Sequence, residues 1–148
     1  MSMAIYRAQL ETIIHATESP EKVKTAVLNL LPPELRERVC WEETPLEGHY
    51  GNPITLLKAG FSGEDSRKLM KWLAEKLGQL DKELLKGKLD LHYDRAGILY
   101  LRFNKQQAYL GKVELSEGED VIKARFSISL PKRNLAALRK LLKEEGLI

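Results

Sequence analysis

Residues Ile98 to Gly111 read ILYLRFNKQQAYLG, and the reading of this stretch decides the fold class. Its first half alternates. Leu99, Leu101 and Phe103 fall on one side of an extended chain and Tyr100, Arg102 and Asn104 on the other, the period of a strand with one face in a core. Lys105, Gln106 and Gln107 follow at once, a dense cluster of donors and acceptors. Nucleophiles and paired carboxylates are missing from it, so it reads as a binding edge and not as an active site. Guanidinium, ammonium and carboxamide groups beside a tyrosine suit a polyanion with flat bases, where charge supplies affinity and amides or rings supply register. RNA is the expected ligand.

The same alternation recurs outward from this strand. In residues 4–16, Tyr6, Ala8, Leu10, Thr12 and Ile14 fall on one side and Arg7, Gln9, Glu11 and His15 on the other, a half-buried strand. Ser19 and Pro20 read as an N-cap and first-turn proline, opening a helix striped by Val23, Ala26, Val27, Leu30 and Leu31 and ended by Pro32 and Pro33. A short helical turn is expected at Glu34 to Arg38. Val39 to Thr44 and Ile54 to Phe61 read as a hairpin across Glu47 to Pro53. Ser62, Gly63 and Asp65 introduce a second long helix carrying Leu69, Trp72, Leu73, Lys76 and Leu77, with Gly78 as its stop.

Asp81 is expected to cap a one-turn helix through Leu85. Leu89, Leu91 and Tyr93 predict a strand, turned by Asp94 to Gly97 into the Ile98 strand. Tyr109, Val113 and Leu115 predict another strand, with Tyr109 in the core. After a turn at Ser116 to Asp120, residues Ile122 to Leu130 predict a long strand closed by Pro131, and Asn134 to Glu145 a last helix with Leu135, Leu138, Leu141 and Leu142 inward. Strands with one apolar and one polar side, interrupted by singly striped helices, imply an α+β fold: an antiparallel sheet with helices packed on one face and a polar, mildly basic open face. No repeat or linker divides the chain, so one RNA-binding-like domain over 1–148 is expected.

A chain of 148 residues with 43% hydrophobic content can bury roughly 68 to 70% of its unfolded surface. It has neither a long apolar run nor a basic-then-apolar start, so a soluble, cytoplasmic protein without a membrane partner is expected. Cys40 stands alone, which excludes an internal disulfide and a cysteine-based zinc site, and it reads as a buried strand thiol. No cofactor or metal is implied. The net charge of +3 is small, but the basic residues gather late: Lys123, Arg125, Lys132, Arg133, Arg139, Lys140 and Lys143, with no acid among them. Trp41 and Trp72 read as core residues.

On the open face the expected RNA contacts are Arg7, Tyr100, Arg102, Lys123 and Arg125, with arginine and lysine on phosphates and the ring on a base. The loop EGHYGNP, Glu47 to Pro53, adds His49, Tyr50 and Asn52, since its two glycines let the backbone approach a ligand closely. Lys105 and Gln106 complete the set: Arg102 clamps phosphate, Lys105 neutralises charge, and Gln106 or Asn52 bonds to base edges or ribose hydroxyls. Catalytic residues are not expected. His15, His49 and His92 form no metal-ligand pair at helical spacing, and no glycine loop followed by Lys and Ser or Thr cradles a phosphate. A ribonuclease would have to use His49 as base with Lys105 beside the developing charge. The rival class is an assembly module, in which the sheet or an edge strand docks on a second copy, as a homodimer, or on an RNA-processing partner.

Three segments carry a resemblance: His15-Ala16-Thr17-Glu18 leading into Glu21, Lys22 and Val23; Glu47 to Pro53; and Arg102 to Gly111. In this order and at these separations the sequence resembles the archaeal RNA-binding domain proteins described as predicted exosome subunits. That pattern reads Asp-Lys-Gln-Ala-Ala in the third segment, whereas this chain has Asn104 and Gln107 at two of those places. The resemblance implies an α+β fold similar to the ribosomal protein that binds five-S RNA, a role in archaeal RNA processing or ribosome-linked RNA metabolism, and no established catalytic residues.

Overall fold

A computed structural model describes residues 4–130 and 134–148. Five strands, β1 (Ile5–Ile14), β2 (Trp41–Glu47), β3 (Pro53–Ser62), β4 (Ile98–Asn104) and β5 (Val121–Ile128), form one antiparallel sheet in the order β2-β3-β1-β5-β4. The helices are α1 (Pro20–Asn29), α2 (Pro33–Arg36), α3 (Glu64–Lys76), α4 (Gln79–Gly87), α5 (Lys105–Tyr109) and α6 (Leu135–Glu145). One face of the sheet is buried by Ala8, Leu10, Leu57, Ala59, Leu99, Leu101, Phe103, Ile122, Ala124 and Phe126. Against it lie Val27 and Leu30 from the α1 segment, Leu69 and Leu73 from α3, and Leu138 and Leu142 from α6. The α+β expectation therefore holds, down to the Ser19 cap, whose hydroxyl accepts from the Lys22 amide, and the β2–β3 hairpin. Among the described residues no helix is long and apolar enough to cross a membrane.

Several local expectations fail for physical reasons. In β1, Ile5 opposes Ile128 and Arg7 opposes Ser127, so Tyr6 is the extra residue of a bulge. The bulge puts Ile5 inside and leaves Tyr6 46% exposed. The strand expected at Leu89 to Tyr93 is a tight turn, because the Leu91 and His92 amides bond back to the Lys88 and Leu89 carbonyls. Leu89 and Tyr93 reach the core while Leu91 stays 77% exposed. No strand forms at Tyr109 to Leu115 either: α5 takes its first part, and Leu115 makes only an isolated bridge to Phe103. Cys40 is exposed just ahead of β2 and is not a buried strand thiol. Trp41 and Trp72 sit half-buried at the rim, Trp72 beneath the Lys76 ammonium at 4.6 Å. The expected closing role of Pro131, and the cations Lys132 and Arg133, lie outside the described residues.

The outer edge of β4 is not bare. Asn104 donates its amide to the Glu114 carbonyl, Ser116 to that of Arg102, and Tyr100 to that of His92. The Asp81 carboxylate accepts the Leu115 amide at 3.0 Å, tying this covering segment to α4.

Candidate nucleic-acid interface

Strand direction gathers the three distinctive segments of sequence. β1 and β4 are both antiparallel to β5, so they finish at the same end of the sheet, where β3, antiparallel to β1, begins. The His15 to Glu18 loop leaving β1, the Glu47 to Pro53 loop entering β3, and the Asn104 to Gln107 segment leaving β4 therefore share one margin, although up to about 90 residues of chain separate them.

At the heart of this margin is Lys105, and its position corrects the sequence reading. It is only 3% exposed. Its ammonium donates to the Ile13 carbonyl at 2.6 Å, to Glu18 Oε1 at 2.9 Å and to Asp120 Oδ1 at 3.1 Å. A lysine has three protons to give, so all are engaged. Lys105 cannot also neutralise a phosphate from the surface. It cross-links the end of β1, the loop behind it and the approach to β5. His15 Nε2 lies 3.4 Å from the same Asp120 oxygen. Although His15, Glu18 and Asp120 bring three ligand atoms within 4.8 Å, the lysine ammonium already supplies the cation among them.

Asn104 ends β4 and caps α5, its Oδ1 accepting the Gln107 amide at 2.9 Å. Asp and Asn are comparable caps, so the departure from aspartate in the resemblance leaves this geometry intact. Gln107 takes the third position of the helix, its backbone amide satisfied by that cap. Gln106 points outward, exposed, beside Tyr109, which is 40% exposed and not in the core as expected. A cleft of about 400 Å3 opens here between α1 and α5, lined by Thr17, Glu18, Ser19, Lys22, Gln106 and Tyr109. Sequence reasoning missed Lys22 and Tyr109. The signal was present, since an Asn followed three residues on by Gln starts a helix and puts Gln106 and Tyr109 on one side of it.

On the open face charged and polar residues form rows, with carboxylates set between the cations of the first. Glu42, Lys58, Glu11, Lys123 and Arg102 are successive register partners across all five strands. The next row contains Gln9, Arg125 and Tyr100. The Arg125 guanidinium sits over the Tyr100 ring, 5.6 Å from its centre, and the Tyr100 hydroxyl donates to Asp94 Oδ2 at 2.9 Å. Burial opposes the Asp94 charge, but the Ile98 amide, the Tyr100 hydroxyl, the Ala96 amide and nearby Arg125 outweigh it and hold the carboxyl below its usual range. The bond to Asp94 in turn pushes the Tyr100 phenol above its usual value. Tyr100 thus offers no bare ring for stacking.

Arg102, expected to clamp phosphate freely, is half-buried: Nη2 donates to the Gly118 carbonyl at 2.5 Å and Nε is buried without an acceptor. Arg7 is exposed, but at the other end of β1, about 24 Å from the margin at 3.4 Å per residue. In the hairpin loop Tyr50 takes a left-handed φ of 57° and is 93% exposed, while the Gly48 amide donates to the Asn52 carbonyl at 2.7 Å. A Cβ on Gly48 would come within 3.0 Å of that carbonyl, so glycine is needed for the closure. Asn52 is exposed; the His49 side chain lies outside the described part.

A family model described as RNA binding matches residues 7–128. The chain belongs to this RNA-binding family. The span takes in all three margin segments and every strand except the first residues of β1. The chain is 41% identical over 127 residues to the RNA-binding protein PAB1135 of Pyrococcus abyssi, covering 83% of this chain and 81% of that one. It is 31% identical over 141 residues to protein MJ0213 of Methanocaldococcus jannaschii, covering 93% and 95%. Among solved structures, protein AF2318 from Archaeglobus fulgidus superposes with a TM-score of 0.82 at 29% identity, covering 95% of this chain and 99% of that one. Family and relatives thus agree with the α+β architecture and with an archaeal RNA-binding domain.

Proposed function

We propose that this protein binds RNA without cutting it, along the open sheet face and the margin where its three distinctive segments meet. The observation that carries this is the convergence itself: loops far apart in sequence are brought to one end of a sheet whose outer face holds Lys123 and Arg125, in a chain of an RNA-binding family. Lys123, Arg125 and the exposed Arg7 supply the track for the phosphates, with the Arg125 guanidinium as a plane for a base. Asn52 and Gln106 offer carboxamides, and Tyr50 a ring. Lys105 has no part in the contact. Its saturation also removes the cation on which the ribonuclease reading rests. The setting we propose is archaeal RNA processing or ribosome-linked RNA metabolism beside exosome proteins, as the sequence resemblance implies, in the cytoplasm that the sequence reading expects.

RNA affinity measured by fluorescence anisotropy over a series of salt concentrations tests the interface. Each phosphate neutralised on a single strand contributes roughly 0.7 to the log-log slope, so replacing Arg7, Lys123 and Arg125 together by Gln should lower it by about 2. A variant with the parental slope would remove this face from the interface, and a parent that binds no RNA at low salt would end the reading altogether.

A further inference from the structure

We propose that the cleft between α1 and α5 takes one unpaired ribonucleotide, its base stacked on Tyr109, its base edge bonded to the Gln106 carboxamide and its phosphate held by Lys22. This deepens the RNA-binding reading and rests on it for the source of the nucleotide.

Four features of the cleft support this occupant. Tyr109 is held in place from behind, because Asn29 Nδ2 donates to the Ala108 carbonyl at 2.9 Å and the Tyr109 carbonyl at 3.2 Å, while Ala108 is fully buried. A ring on an anchored backbone, left out of the core, is a stacking platform whose ordering costs little on binding. Gln106, three residues earlier on the same short helix, brings a donor and an acceptor to the same opening.

The charge is also arranged for a phosphate. Glu18 lies in the wall, but its Oε1 accepts from the buried Lys105 ammonium and from the His15 amide, which offsets its repulsion. That leaves Lys22, exposed in the first turn of α1, as the cation facing the opening, at the positive end of the helix dipole. Finally, about 400 Å3 lies within the ordinary range for small-ligand sites, roughly 300 to 1,000 Å3. Asn104, the register partner of Val121, ends β4 and caps α5, so the cleft follows the end of that strand within two residues of chain.

Titrating 15N-labelled protein with AMP, GMP, CMP and UMP, and with inorganic phosphate as the control, tests the proposal. Nucleotide should move amide signals in residues 17–23 and 105–110, and phosphate alone should move only those near Lys22. Tyr109→Leu keeps apolar bulk without the aromatic face and should weaken nucleotide binding about 5- to 140-fold, the range that base stacking on an aromatic side chain spans. Gln106→Ala, on an exposed position, should weaken it without affecting the fold. Equal shifts from phosphate and nucleotide would reduce the cleft to a charge site and overturn the proposal. So would single-stranded RNA binding with parental affinity to both variants, a result that leaves the wider RNA reading standing. Loss of all RNA binding by the parent, with the nucleotide shifts intact, would instead overturn the wider reading and keep the cleft.

Discussion

Lys105 is one ammonium on which three pieces of backbone depend. Its removal strands the Ile13 carbonyl and leaves Glu18 and Asp120 facing each other without the cation between them. Hydrogen bonds to a charged group contribute about 1.5 to 3 kcal/mol each, and loss of one partner from a buried ion pair costs about 3 to 5 kcal/mol. Asp120 is half in water, which lowers the second figure here. Lys105→Met should therefore destabilise the fold by about 2 to 3 kcal/mol, read as a lower urea midpoint at unchanged m-value. Under conditions where the variant is folded, its RNA affinity should show the parental salt slope. A reduced slope would restore the lysine to the interface.

At the scale of elements, α5 depends on its cap. With five residues it is too short to stand on propensity, and Asn104 supplies the acceptor for its first turn. Asn104→Asp should leave thermal stability nearly unchanged, whereas Asn104→Ala should cost about 1 kcal/mol, a difference that a pair of melting curves resolves. The same residue explains what the sequence revealed and what it hid. Strict alternation made β1, β4 and β5 legible, and Ser19-Pro20 made α1 legible, because period and cap are local. Asn104 serves the strand and the helix at once, so a reading by period alone carried Tyr109 into a strand that does not exist. Leu89, Leu91 and Tyr93 misled in the same way: apolar residues at alternate positions also fit a turn that buries two of them. The expected surface role of Lys105 failed for a different reason. Its partners Glu18 and Asp120 lie 87 and 15 residues away in sequence, and only tertiary folding brings them together.

At the scale of the whole molecule the two sheet edges differ. β4 is covered by the segments around His92 and Glu114, whereas among the described residues β2 has no further strand beyond it. β2 carries Pro45 together with Glu42, Glu43 and Glu47, all exposed, and a proline without an N–H among like charges opposes strand addition. This weakens the case for assembly through that edge. Replacing Glu43, Pro45 and Glu47 together by Thr should make the apparent mass by light scattering rise with concentration relative to the parent. A triple variant that keeps the parental mass at every concentration would contradict this account. The margin opposite Arg7 has its own logic, set by the lysine buried within it. Since the turn after β1, the start of α5 and the lead into β5 hang on the same side chain, none of them can drift without loosening the others. The surface they present is kept or lost as a unit, and its shape is inherited from the interior instead of being assembled when a ligand arrives.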